Sequence, residues 1–290
     1  MSFRIDRVLK IPRTGAEIGA GREPIDRLPV SGNGKASSAA HEAHGSDFDY
    51  LDHYERDAHV FDYFATSEDP ATVQESVRLH QTILERIPAG TTSVLDVGCG
   101  SAWVAAALTA RGITVVSFDI ASANLNKALA RVPSEHHVAV RGDVLSLPFK
   151  DESFDVVISS EVIEHVPYLP GYLDNVLRVL KPGGRAILTT PYDEKIQYSL
   201  CIHCNRSTPQ HAHLHSFRED SLDNLMAAHP GVGLRAFTSA NKALVYLRGY
   251  TFTQHLSFEL WKLVDGLANW LLRKPGRLTF LLDKQVTSGL

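Results

Sequence analysis

The segment VLDVGCGSAW, residues 94–103, places an acidic residue and two closely spaced glycines directly after an apolar run. Gly98 and Gly100 allow the backbone to turn sharply and allow a ligand to approach it, because glycine has no Cβ. The third glycine of a dinucleotide-binding fingerprint is absent, since Trp103 stands in its place. Asp96 would repel a pyrophosphate and attract a cationic group. The turn therefore predicts a ligand with a positively charged end.

A second acidic residue, Asp119, closes the next apolar run, TVVSFDI at residues 114–120. In doubly wound α/β folds, an acid at this distance from the glycine turn binds the hydroxyl groups of a ribose. A ligand that is cationic at one end and a nucleoside at the other fits S-adenosylmethionine. We therefore predict this cofactor.

Strands and helices alternate from about residue 91 onward, and most strands are apolar on both faces. This pattern predicts a mostly parallel sheet covered by helices on both sides, with ligands at the carboxyl ends of the strands. The predicted fold is a three-layer, Rossmann-like α/β domain with seven strands. The predicted strands are 92–98, 114–120, 137–144, 154–160, 185–191, 233–239 and 278–284, and the predicted helices are 101–112, 123–132, 169–184 and 218–229.

Composition divides the chain into three parts and excludes several functions. Residues 1–45 are small and polar and predict a flexible arm, residues 46–90 predict a helical cap, and residues 91–290 form the main domain. A formal net charge of −4 disfavours a nucleic-acid acceptor, as does the absence of an N/D-P-P-Y/F motif. Three cysteines make a disulfide scaffold improbable, and no apolar run is long enough to span a bilayer. These features predict a cytoplasmic location.

The order of these segments resembles that of the class I S-adenosylmethionine-dependent methyltransferases, in particular the group that contains the ubiquinone and menaquinone biosynthesis enzymes. The matching segments are VLDVGCGSAW, VVSFDIA, RGDVLSLPFKDESFDVVISSEVIEHV and LKPGGRAILTTPY, within residues 94–192. The resemblance implies an enzyme that transfers a methyl group, and it implies a role for each matching residue. Asp96, Gly98 and Gly100 would hold the methionine end of the cofactor, Asp119 and Ile120 the ribose, Asp143 and Val144 the adenine, and Ser160 and Glu161 would line the methyl-transfer site.

Glu161, Glu164 and His165 form an E-x-x-E-H pattern. In a helix these three side chains would share one face. The pattern resembles the metal-binding set of the ubiquinone O-methyltransferases and of the small-RNA 2′-O-methyltransferases, which implies Mg²⁺ or a similar ion beside an acceptor hydroxyl. Two alternatives remain open at this point, namely an acid–base role for His165 and a loop without a metal.

A second cluster, within residues 199–217, combines a Cys-x₂-Cys pair with several histidines. Thiolates and imidazoles at this spacing suit tetrahedral Zn²⁺, and a structural zinc loop is the prediction. A subset of class I methyltransferases carries a similar insertion after the fifth strand, although the histidine spacing differs here. The alternative is a polar loop that contacts the substrate. The candidate ligands are Cys201, Cys204, His211, His213 and His215.

The acceptor is predicted from the helical insertion at residues 240–276, where SFELWKLVDGLANWLL (257–272) is rich in Leu and Trp. One interpretation is a core helix, and the other is a lid over an apolar acceptor that also contacts a membrane surface. The sequence thus predicts methyl transfer to a small-molecule or lipid-like acceptor. The alternative from another functional class is a non-catalytic module that binds S-adenosylmethionine and zinc.

Overall fold

A computed structural model describes residues 3–10, 23–27, 48–202 and 205–286. Ten strands and ten α-helices are assigned within these ranges. The strands are β1 (Ile25–Asp26), β2 (Ser93–Val97), β3 (Thr114–Asp119), β4 (His137–Arg141), β5 (Phe154–Ser160), β6 (Leu180–Pro191), β7 (Tyr198–Leu200), β8 (Ser207–Pro209), β9 (Val232–Asn241) and β10 (Pro275–Lys284). The helices are α1 (Ile5–Val8), α2 (Tyr50–Val60), α3 (Pro70–Leu84), α4 (Trp103–Leu108), α5 (Ser122–Arg131), α6 (Leu169–Val179), α7 (Asp223–Met226), α8 (Lys242–Tyr246), α9 (Tyr250–Thr253) and α10 (Phe258–Leu271).

Eight strands form one sheet in the order β1-β4-β3-β2-β5-β6-β10-β9, and β7 pairs with β8 in a separate hairpin. The neighbouring strands from β1 to β6 are parallel, and β10 runs antiparallel to both β6 and β9. The chain leaves β2 toward β3 on one side, whereas β5 lies on its other side. The strand order therefore reverses at the carboxyl end of β2, which is where ligands bind in such sheets.

Alternate residues of the central strands face two separate hydrophobic layers. In β2, for example, Val94 packs in one layer with α3, α4 and α5, whereas Leu95 packs in the other layer with α6. Because both faces of the sheet are covered at its centre, the central strands β2 and β3 are buried almost throughout. The prediction of a three-layer, mostly parallel α/β fold is confirmed.

The strand count differs from the seven that the sequence predicts, because β1 adds an eighth strand from the N-terminal region. Ile25 pairs with Val140 of β4, and Leu9 is fully buried and bridges to Phe149. Residues 3–10 and 23–27 thus lie against the domain, in contrast to the predicted flexible arm, and the rest of residues 1–45 lies outside the described residues. A two-residue strand carries no hydrophobic period that the sequence could reveal.

Three helices are shorter than predicted. Helix α4 spans Trp103–Leu108 and is followed by a 3₁₀ turn at Thr109–Arg111, where the sequence predicts a helix over 101–112. Helix α6 ends at Val179, and Leu180–Pro191 forms one continuous strand that includes the Pro-Gly-Gly segment. Gly183 adopts a φ of +78°, and the pairing of β5 with β6 shifts register beside it, so this segment is an irregular strand start. The helix predicted for residues 218–229 is reduced to α7.

Candidate active site

The glycine turn lies at the carboxyl end of β2, where the strand order reverses. Gly98 adopts a φ of +67° and Gly100 a φ of +43°, a region that disfavours side chains with a Cβ. A Cβ on Gly98 would lie 2.5 Å from Cγ2 of Val162. The turn is therefore tightly packed from the side of β5, and only glycine fits at residue 98.

Two buried carboxylates stand beside this turn. Asp96 is 2% exposed, and its Oδ2 has no hydrogen-bond partner among the described residues. Burial raises the pKa of Asp96 well above its usual range, and the neighbouring Asp119 adds to the effect. Burial also raises the pKa of Asp119 to about 6, although Oδ1 of Asp119 accepts a hydrogen bond from the Ala121 amide at 2.9 Å. The hydrogen bonds to Asp119 oppose this effect without cancelling it, whereas Asp96 has an oxygen that no described donor reaches.

A cleft of about 850 Å³, counted with its opening to solvent, begins at this turn. The helical cap closes it from the other side, and the hydroxyl of Tyr50 donates a hydrogen bond to Asp143 at 2.6 Å. The lining residues that the sequence predicts are Gly98, Gly100, Asp119, Ile120, Val144, Glu161 and His165, and those that it misses are Tyr50, Tyr54, Asp57, Tyr63, Asn124 and Val162.

Three of the predicted cofactor residues, Asp96, Asp143 and Ser160, are not among the residues that line the cleft. Asp143 accepts hydrogen bonds from Tyr50 and from the Leu145 amide, at 2.6 and 2.9 Å, so its carboxylate is already occupied. Ser160 lies at the end of β5, where its hydroxyl is 3.0 Å from that of Thr189. Asp143 and Ser160 are thus held by protein groups, whereas Oδ2 of Asp96 has no hydrogen-bond partner among the described residues.

Glu161 is held by protein side chains and does not belong to the group of potential metal ligands that contains the other two members of the E-x-x-E-H pattern. It adopts a φ of +57° and accepts hydrogen bonds from Arg277 at 2.8 Å and from Thr189 at 3.0 Å. The condition for a shared helical face is not met, because only Ile163–His165 is helical, as a single 3₁₀ turn. Arg277, which comes from β10, also pairs with Glu75 at 3.1 Å and holds Glu161 in this position.

Glu164 and His165 instead lie together with His213, which comes from the histidine-rich loop. One potential ligand atom from each of the three lies within 4.8 Å of the others. Glu164 is 1% exposed, and neither of its carboxylate oxygens has a hydrogen-bond partner among the described residues. The buried hydroxyls of Thr190 and Tyr54 lie nearby. This concentration of buried oxygen atoms is chemically suited to a cation or a polar ligand.

The hydrogen bonds of the two imidazoles define their free nitrogen atoms. Nδ1 of His165 donates to the Ala212 carbonyl at 3.3 Å, and Nδ1 of His213 faces the carboxylate of Glu194. When these Nδ1 atoms carry the proton, each Nε2 presents a lone pair. Burial lowers the pKa of His165 to about 4, so this ring is neutral at physiological pH. Histidines that bind metals are commonly held in this way, by an acceptor on the other ring nitrogen.

The predicted zinc ligands separate into different environments. His213 joins Glu164 and His165, whereas Nε2 of His215 donates to the Val166 carbonyl at 2.9 Å. His211 is exposed with a φ of +57°, and Cys201 begins the turn that links β7 to β8. Cys204 and the neighbouring His203, which we consider a poorer zinc ligand, lie outside the described residues. A zinc site of the Cys pair and the histidines therefore stays a prediction.

Comparison with known proteins gives a consistent result for the central segment. Residues 95–188 match the family model of a methyltransferase domain. An uncharacterized methyltransferase of a Mycobacterium species is 41% identical over 128 residues, which are 44% of this chain and 48% of that protein. A ubiquinone biosynthesis O-methyltransferase of Rickettsia bellii is 37% identical over 112 residues, which are 38% of this chain and 46% of that protein.

Among solved structures, phosphoethanolamine N-methyltransferase 2 of Haemonchus contortus, in complex with S-adenosyl-L-methionine, is similar with a TM-score of 0.53 at 17% identity. The match covers 83% of this chain and 60% of that chain. At this identity the likeness concerns the fold. The chain spans less than half the length of the curated relatives that it matches.

Proposed function

Because the chain carries a class I S-adenosylmethionine-dependent methyltransferase domain, we propose that it transfers a methyl group from this cofactor to a hydroxyl group of a small-molecule or lipid-like acceptor. The bound cofactor supplies an electrophilic methyl group on a sulfonium. The chain supplies orientation, exclusion of water and help in removing the acceptor proton.

The glycine turn and the two carboxylates beside it support the proposal that S-adenosylmethionine binds in the cleft. Asp96 has a buried oxygen without a partner, which suits the ammonium group of the methionine end. Asp119 lines the cleft with one oxygen held by Ala121, which leaves acceptor capacity for ribose hydroxyls. Ile120 and Val144 line the same cleft and would contact the adenosine. Tyr50, through its hydrogen bond to Asp143, would place α2 as a cover at the adenine end.

The choice of a hydroxyl group as the methyl acceptor is supported by one observation, the cluster of Glu164, His165 and His213 beside the cleft. Two imidazole nitrogens and a carboxylate suit a divalent first-row transition ion better than Mg²⁺, which prefers oxygen ligands. Such an ion would lower the pKa of a hydroxyl group that approaches it. His165 lines the cleft and would connect the ion site to the acceptor. We accordingly replace Glu161 with His213 in the predicted metal set.

The proposed function is tested by comparing cells with and without the gene in untargeted mass spectrometry. We expect a product that is heavier by CH₂ only when the gene is present, and formation of the same methyl ether by the purified protein with S-adenosylmethionine. A product methylated on nitrogen or carbon would contradict the choice of a hydroxyl. Tight cofactor binding without any product would favour the non-catalytic alternative.

We further propose that zinc holds the β7–β8 hairpin, with Cys201 and Cys204 as its thiolate ligands. The hairpin projects exposed apolar side chains, with Leu200 67% and Ile202 88% exposed, so it has little packing of its own to order it. Replacing both cysteines with serine should remove about one zinc ion per chain, because thiolates are the strongest ligands of such sites. Metal analysis of the purified variant measures this result.

A matched variant distinguishes this zinc site from the ion site beside the cleft. Cys99→Ser removes the buried thiol near Asp119 and should leave the zinc content unchanged. The double serine variant should still bind a Mn²⁺ ion through Glu164, His165 and His213. Full retention of zinc in that variant would rule out the two cysteines as ligands.

A further inference from the structure

Helix α10 presents most of its large apolar side chains to solvent. They recur at steps of three and four residues, which places them on one side of the helix. The exposed fraction of these side chains ranges from 36% to 80%. We refer to them as the outer face of α10, which consists of Leu260, Leu263, Val264, Leu267, Trp270 and Leu271.

The rotation of α10 about its axis is fixed by the residues on its inner side. Asp265 is 4% exposed, and its carboxylate accepts hydrogen bonds from the backbone amides of Ala240 at 3.1 Å and Asn241 at 2.7 Å. Trp261 is 6% exposed and lies beneath the guanidinium of Arg78, 5.5 Å from its ring centre. A rotation that buried the outer face would break these contacts. The helix is therefore not the core helix that one interpretation of the sequence predicts.

The neighbouring short helices extend the outer face into a larger apolar surface. Tyr246 and Leu247 at the end of α8 are each 81% exposed, and Phe252 in α9 is 80% exposed. Within the described part of the chain, half of the exposed large hydrophobic side chains lie between residues 245 and 272. A concentration of this kind marks an interaction surface rather than an ordinary protein surface.

Basic side chains border this surface. The backbone amide of Lys242 donates to the carbonyl of Lys274 at 2.7 Å, which brings two exposed lysines together at the end of α10. Arg248 directly follows Leu247, and Arg273 pairs with Glu219 at 2.6 Å. Lys242, Lys274 and Arg248 form no ion pair with any described residue. The border of the surface therefore carries uncompensated positive charge.

The surface lies at the same edge of the sheet as the cleft. Strand β9 runs parallel to β6, since both are antiparallel to β10. The carboxyl end of β9 therefore lies at the same edge of the sheet as the carboxyl end of β6. Asp265 anchors α10 at this end of β9. Arg277, three residues after Lys274, contacts Glu161 in the lining of the cleft. An apolar molecule held at this surface would be close to the cleft.

We propose that α8, α9 and α10 dock the protein on an anionic membrane surface. An amphipathic helix that carries Leu and Trp on one face, with Lys and Arg at the border, inserts its apolar side chains at the headgroup boundary and attracts anionic lipids. A second copy of the chain is a poorer occupant, because a two-fold contact would place two positively charged borders around one apolar contact. Among the described residues, no helix is both long and apolar enough to cross the bilayer, so the contact would be peripheral.

Vesicle co-sedimentation of the full chain tests this proposal. We expect the protein to bind phosphatidylcholine vesicles that contain phosphatidylglycerol about tenfold more tightly than vesicles of phosphatidylcholine alone, because each lysine near an anionic surface adds to binding. The double variant Leu263→Ser/Leu267→Ser should bind the mixed vesicles at least about tenfold more weakly, since it removes two exposed apolar side chains from the contact. Its S-adenosylmethionine affinity should be unchanged, which shows that it folds.

Two further variants separate the apolar and electrostatic contributions. Val286→Ser changes a residue that is 68% exposed at the opposite end of the sheet, and it should bind vesicles like the wild type. Lys242→Glu/Lys274→Glu should remove the preference for phosphatidylglycerol. The proposal is overturned if the wild type stays in solution with the mixed vesicles, or if Leu263→Ser/Leu267→Ser binds them as the wild type does. A dimer in solution that this variant dissociates, without vesicle binding, would identify a second copy as the occupant and would equally overturn it.

Discussion

Replacing Glu164 with glutamine should abolish divalent-ion binding beside the cleft and reduce turnover by about a thousandfold, because a bound ion contributes several kcal/mol to stabilising a developing negative charge. Glu164 supplies the only carboxylate of the described three-residue cluster. The neutral amide keeps the shape of the side chain but removes its charge. Cofactor affinity should be unaffected, since Glu164 does not line the cleft.

Titration with Mn²⁺, followed by its electron paramagnetic resonance signal, measures the ion site directly. This ion suits carboxylate and imidazole ligands and binds thiolates poorly, so the predicted zinc hairpin should not interfere. The wild type should bind one Mn²⁺, and His213→Ala should lose the site as Glu164→Gln does. Glu161→Gln is the matched control, because Glu161 belongs to the set that the sequence suggests but pairs with Arg277 in the structure.

The stability of the metal-free protein provides a second test of the same substitution. A buried carboxylate without hydrogen-bond partners destabilises the fold, because its desolvation is not compensated. Glu164→Gln should therefore raise the melting temperature of the metal-free protein while it abolishes ion binding. Equal Mn²⁺ affinity in Glu164→Gln and the wild type, or a site lost in Glu161→Gln alone, would contradict the three-residue cluster.

The central strands and the glycine turn follow from local sequence. The apolar run before Gly98 specifies a strand that is buried on both faces, and the positive φ of Gly98 and Gly100 explains why glycines stand there. Asp119 at the end of β3 is placed in the cleft by the regular alternation of strand and helix. These features depend on short segments and on one repeated unit, which is why the sequence reveals them.

The ion site could not be predicted in its final form, because it depends on backbone detail and on a distant segment. The pattern Glu161-x-x-Glu164-His165 suggests a helical face, but the positive φ of Glu161 turns that side chain toward Arg277. His213 reaches His165 across 48 positions of the chain, with their ring centres 4.8 Å apart. The sequence signal for His213 was its place in a histidine-rich loop, and that signal pointed to zinc.

The orientation of α10 was likewise undetermined by its composition. Leu and Trp residues occur on nearly all sides of this helix, so its hydrophobic period does not say which side is buried. The structure shows that Asp265 decides the orientation, through its hydrogen bonds to Ala240 and Asn241. A single buried polar residue thus turns the larger apolar side chains outward.

Replacing Asp119 with asparagine should weaken S-adenosylmethionine binding by about tenfold to a hundredfold, the effect of losing a charged hydrogen-bond acceptor worth roughly 1.5–3 kcal/mol. The amide can still accept the hydrogen bond from Ala121 at 2.9 Å, so the loop should keep its conformation. Calorimetric titration of the cofactor measures this change. Asp151→Asn, an exposed carboxylate that pairs with Arg178, is the matched control and should bind like the wild type.

The pH dependence of binding identifies Asp119 as the group involved. Burial raises its pKa in the cofactor-free protein to about 6, and the charged groups that face it are Asp96 and Glu55. Because the ionised form is the stronger acceptor, affinity should be constant above pH 7 and should fall as the pH drops through about 6, reaching roughly a tenfold loss at pH 5. Asp119→Asn should show no such fall across this range.

The stability of the cofactor-free protein should fall as the pH rises, whereas its affinity for the cofactor increases. Since the folded pKa of Asp119 lies above its ordinary value of 3.8, the stabilisation by its neutral form is complete below pH 3.8 and is lost as the pH rises through about 6. At pH 7.5 the empty site therefore destabilises the fold, and Asp119→Asn should raise the melting temperature while it weakens cofactor binding.

If Asp119→Asn bound the cofactor as tightly as the wild type at pH 7.5, the ribose would have to be held by another group. Tyr63, whose hydroxyl donates a hydrogen bond to Asp57 and which lines the same cleft, would then be the next residue to substitute.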